Sequence, residues 1–71
     1  MNTIEVFKTN VQYEKQALAL EAALLRRLPQ FTISFDLDDC DKILRVKGQD
    51  ILPNKIIEVL RINGYKCQVL D

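Results

Sequence analysis

The chain has 71 residues, 48% of them hydrophobic, with only two glycines and two prolines. That excludes a disordered or linker-like chain and predicts one small domain over residues 1–71. Ten basic and ten acidic residues cancel, which argues against nucleic acid as the partner, because phosphate binding draws on an excess of Lys and Arg.

Residues Thr3 to Lys8, TIEVFK, alternate apolar and polar, as in a half-buried strand. Ile4 and Val6 share one parity, and the alternation predicts that they face the core. On that reading Phe7 points the other way. From about Gln12 to Leu28 the pattern becomes helical, rich in Ala and Leu. Ala17, Leu20, Leu24 and Leu28 fall at helical spacing, with Leu18, Ala22 and Leu25 beside them. Asn10 is a candidate N-cap, Glu14 complements the helix dipole at its start, and Arg26 and Arg27 do so at its end. Pro29 stops the helix.

Phe31 to Leu37, FTISFDL, is the clearest strand, with Phe31, Ile33, Phe35 and Leu37 alternating with polar residues. Asp38 to Asp41 make a turn, and Lys42 to Gly48 return as a second strand with Leu44 and Val46 on one face. Pro53 opens a second helix within Ile51 to Asn63, and Gly64 stops it. Tyr65 to Leu70 form a last short strand. The order β-α-β-β-α-β predicts an α+β ferredoxin-like sandwich. It has a four-stranded antiparallel sheet, the first and third strands central, and two helices on one face. That fold hosts many functions and names none.

In this topology three connections meet at one end of the sheet: Thr9 to Gln12, Asp38 to Asp41, and Asn63 to Lys66. Asn10 and Tyr65 are the candidate loop-end residues there. The stretch Val46 to Leu70, VKGQDILPNKIIEVLRINGYKCQVL, resembles the second half of the heavy-metal-associated domains. These include the copper and zinc chaperones and the N-terminal domains of metal-transporting ATPases. The shared features are a strand ending in Gly, a Pro-led helix with paired isoleucines, then Gly-Tyr and a short strand. The first half fits in outline. The resemblance implies metal transfer through a Met-x-Cys-x-x-Cys stretch at the first strand-to-helix joint, where paired thiolates grip soft ions. Here that joint reads KTNVQYEKQA, and no residue from Met1 to Asp39 is Cys. No family ligand carries over to any position. Tyr65 matches the family's aromatic beside the metal loop, and without that loop it reads as a packing residue.

The two cysteines are Cys40 and Cys67. With no metal at the family position and no cofactor expected, copper or zinc held by these two thiols in a rearranged site is the alternative. Against it, Cys67 shares parity with Tyr65 and Val69, which predicts a small inert core residue. The carboxylates Asp36, Asp38, Asp39 and Asp41 cluster at the hairpin tip. They lack the Gly and distal Glu of a calcium loop and suit a turn. With no His in the chain, no acid–base constellation emerges, so no enzyme is predicted.

By strand parity Phe7, Ile43 and Leu70 lie on the sheet face away from the helices. Together they form a candidate apolar interaction patch. An RNA-binding sheet needs more aromatic and positive groups than Phe7, Arg45 and Lys47 supply. No apolar run nears the roughly 18 residues of a membrane span, and the opening residues read as a strand rather than a leader. The expectation is a cytoplasmic protein-interaction module with a protein partner or a second copy as its ligand, and no membrane or nucleic acid. A small-ligand sensor on the same strand order is a further alternative.

Overall fold

A computed structural model describes residues 2–70. Six elements follow in the expected order: β1 (Thr3–Thr9), α1 (Glu14–Arg27), β2 (Thr32–Asp36), β3 (Ile43–Gly48), α2 (Pro53–Ile62) and β4 (Cys67–Val69). The strands form one antiparallel sheet in the order β2-β3-β1-β4. Strands β1 and β3 are therefore central, and the fold is the ferredoxin-like α+β sandwich.

Both helices share one core with the sheet. Ala17, Leu20 and Leu24 of α1 and Ile56, Val59 and Leu60 of α2 join Phe7, Leu44 and Val46 in a single buried cluster. Their helical spacing turns one stripe of each helix to the sheet. In a small domain this one cluster supplies most of the stabilising burial. Pro53 begins α2, where a missing N–H costs nothing. Gly64 follows it at φ +91°, a left-handed conformation that glycine adopts without strain.

The elements are shorter than the periodicity suggests. α1 begins at Glu14 rather than Gln12, because Gln12 and Tyr13 have their N–H groups taken by the Gln16 side chain. Phe31 and Leu37 fall outside β2. Phe31 is nevertheless buried and Leu37 packs against the core, so their alternation reflects burial rather than strand pairing. Tyr65 and Lys66 precede β4.

One expectation is overturned. Strand alternation assigns Phe7 to the uncovered face and Ile4 to the core, but Phe7 is fully buried in the core, whereas Ile4 is 59% exposed. The register explains the reversal. Phe7 stands opposite Leu44 of β3 and Val69 of β4. Paired residues project to the same side of a sheet. The helices cover the side that holds Leu44 and Val46, so Phe7 goes with them and Ile4 and Val6 do not. Phe7, Thr9 and Val11, all buried, continue this inward parity into the first loop.

Candidate interaction site

The loop end is closed by hydrogen bonds. The Thr9 N–H donates to the Asp41 carbonyl at 3.1 Å, tying β1 to the hairpin tip. Asn10 and Lys66 bond twice: the Asn10 N–H donates to the Lys66 carbonyl at 3.3 Å, and the Lys66 N–H donates to Asn10 Oδ1 at 2.8 Å. The Thr9 hydroxyl donates to the Lys42 carbonyl at 2.6 Å and accepts the Val11 N–H at 3.2 Å. All three connections therefore meet, as the topology predicts.

Asn10 does not cap α1. Its side chain is committed to Lys66, and Gln16 Oε1 instead accepts the Gln12 and Tyr13 N–H groups at 3.1 and 3.2 Å. Val11 is fully buried, and Tyr65 is half-buried against the core with its N–H donated to the Leu60 carbonyl. The polar groups of this joint hold the joint together. A shallow cleft of about 160 Å³ beside it is lined by Lys8, Thr9, Asn10, Lys66, Cys67 and Gln68.

The sulfur atoms lie in different surroundings. Cys40 is exposed at the hairpin tip, and Cys67 is half-buried and packed against the core. Burial pushes the Cys67 thiol up to about 12, because a thiolate is poorly solvated there. A metal at Cys67 would have to displace a firmly held proton. Among the described residues, one group of three potential ligands comes together: Asp39, Cys40 and Asp41, with ligand atoms within 4.8 Å of one another. Cys67 is not in it. Asp39 Oδ1 accepts the Asp41 N–H at 2.8 Å, and the Asp41 carboxylate lies 3.7 Å from Lys8 Nζ. These carboxylates thus shape the turn, which also holds Lys42 at φ +49°.

The uncovered sheet face differs from the patch read from sequence. Phe7 is absent from it. Ile43, paired with Asp36 of β2, is only 3% exposed and stands outside the main core cluster. Leu70 is 38% exposed, and its N–H donates to the Val6 carbonyl at 2.8 Å. The apolar surface of this face is therefore Ile4, Val6 and Leu70, running along β1 and just past the end of β4. Lys47 lies opposite Ile4 and Arg45 opposite Val6. Arg45 and Asp36 approach to 3.7 Å, an exposed pair that contributes little to stability.

Because β1 carries apolar residues on both parities, its sequence does not place Ile4 and Val6 outward; the pairing of Phe7 with Leu44 and Val69 does.

Comparisons with protein-family models, with curated proteins and with solved structures found no match to this chain. Among the described residues no helix is long and apolar enough to cross a membrane.

Proposed function

We propose that this chain is a non-enzymatic protein-interaction module that engages a partner through the uncovered face of its sheet. The observation that carries this reading is Ile4. It is a large apolar residue on the uncovered face of a central strand, and it is 59% exposed. Val6 and Leu70 extend the apolar surface beside it, and the basic residues Lys8, Arg45 and Lys47 rim it. An apolar strip with a polar rim is the usual anatomy of a protein contact.

The reading also accounts for the first loop. The chain resembles heavy-metal-associated domains, but its joint holds Thr9, Asn10 and Val11, whose groups are used to close the loop. Such a domain keeps the scaffold and does its work by contact rather than by carrying a metal.

A photo-crosslinking residue at Ile4 tests the idea in cells. A discrete crosslinked protein is expected from that position and not from Glu58 on α2. The crosslink should be lost when Val6→Asp is added. Identical products from positions 4 and 58, or none from either, would remove the sheet face as the contact.

A further inference from the structure

Helix α1 has a second apolar face. While Ala17, Leu20 and Leu24 are buried, Leu18 is 62% and Leu25 42% exposed, and Ala22 between them is also exposed. Leu18, Ala22 and Leu25 follow the i, i+4, i+7 spacing and so form one stripe. In heptad terms Leu18 and Leu25 occupy d positions around Ala22 at a, the pattern of a short helix–helix seam. The small side chain at Ala22 permits close approach of a second helix.

Charge decides the occupant. At 3.6 residues per turn, Glu14 and Glu21 line one edge of the stripe and Arg26 the other, with Lys15 at the a position one heptad before Ala22. Among the described residues the monomer's ion pairs are Lys8–Asp41 and Arg45–Asp36, and none of these four α1 charges takes part. A second α1 laid parallel would set the acidic edge of each copy against the basic edge of the other. Glu21 is then at g and Arg26 at e, five positions on, the spacing at which parallel helices pair charges. An antiparallel arrangement would oppose acid to acid and base to base. The zero formal net charge of the chain leaves no long-range repulsion between copies.

We propose that two copies of this chain associate through the outer face of α1, with the helices parallel. Leu18, Ala22 and Leu25 form the seam, and Glu21 of each copy pairs with Arg26 of the other. The contact is two-fold symmetric, so each charge pair occurs twice. It stands independently of the sheet-face reading. Because α1 belongs to the helix layer, the dimer leaves both uncovered sheet faces pointing outward and would present two partner sites.

The seam is short, so a weak dimer is expected, with a dissociation constant on the order of 100 µM. Sedimentation equilibrium of the full chain up to about 1 mM reads it directly. Leu18→Asp should weaken association about tenfold or more, with the circular dichroism spectrum unchanged. Glu21→Arg and Arg26→Glu should each weaken it, and the double charge swap should restore it to within about threefold of the original. Ile4→Asp should leave it intact. A monomer at every concentration overturns the proposal. So does a dimer that survives Leu18→Asp, or a charge swap without recovery. A dimer abolished by Ile4→Asp alone would place self-association on the sheet face instead.

Discussion

Gly48 ends β3 directly beneath the ring of Phe31. A Cβ at this position would overlap the Phe31 side chain, so the glycine is a matter of space. Gly48→Ala should cost about 1–3 kcal/mol, read as a lower urea midpoint, with partial recovery when Phe31→Leu is added. Among the described residues Thr9 is the one buried polar side chain. Its hydroxyl both donates to Lys42 and accepts from Val11. Thr9→Val keeps the shape and removes both bonds, leaving the Val11 N–H and the Lys42 carbonyl without this partner. A loss of about 1–3 kcal/mol is expected from denaturant melts. Cys67 gives a pH signature. Its thiol is raised from 9.0 to about 12 by burial. Below pH 9 the thiol is protonated whether the chain is folded or unfolded, and its contribution is fully present. Between pH 9 and 12 the unfolded chain ionises first and stability falls. The decline in urea midpoint over that window should be shallower in Cys67→Val. At pH 8 an alkylating reagent should label exposed Cys40 and spare Cys67 until the chain unfolds.

At the scale of elements, α1 shows how a helix starts without a Ser, Thr, Asp or Asn cap. Tyr13 occupies the cap position with an extended backbone. Gln16 reaches back to two N–H groups that would otherwise lack partners. Gln16→Ala should therefore cost about 1 kcal/mol, visible as a lower melting temperature. The start of α1 was displaced from the sequence expectation because Asn10, the better cap by residue type, was needed at Lys66. Strand β1 was displaced in a different way. Its length and alternation were legible, but a central strand of a two-layer fold can be apolar on both sides. Which side is inward depends on the partner strand. The pairing of Phe7 with Leu44 and Val69 settles it, and no local feature of TIEVFK contains that information.

For the whole molecule, one helix layer covers one face of a four-stranded sheet and leaves the other face to solvent. The principal extents, 31 × 25 × 17 Å, are those of such a two-layer slab. The exposed face carries Ile4, Val6 and Leu70, and the outer surface of α1 carries Leu18 and Leu25, so both broad sides of the slab are apolar in part. Single charged substitutions at Ile4 or Leu18 should change folding stability by no more than about 0.5 kcal/mol, while altering binding. That separation distinguishes contact surfaces from core. On the metal question, reduced protein titrated with zinc against a competing chelator should show no tight equivalent. One equivalent held tightly and lost in both Cys40→Ser and Cys67→Ser would instead establish the two-thiol site. Its assembly would require Cys67 to surrender its proton and leave its packed position.

The sequence by itself determined the order of elements, the fold they build, the two helical core stripes and the absence of a thiol pair at the first joint. These follow from local periodicity and residue chemistry, which neighbours in sequence can express. It also placed Cys67 and Tyr65 inward by parity, and the structure packs both against the core. Only the tertiary structure decided that Phe7 belongs inside and Ile4 outside, that Ile43 is shielded, and that Asn10 serves the turn before β4 rather than α1. Each of these depends on strand register or on a bond between residues far apart in the chain, such as Asn10 with Lys66. A one-residue change in register inverts every side chain of a strand, so which face lies inward is fixed by pairing and not by pattern.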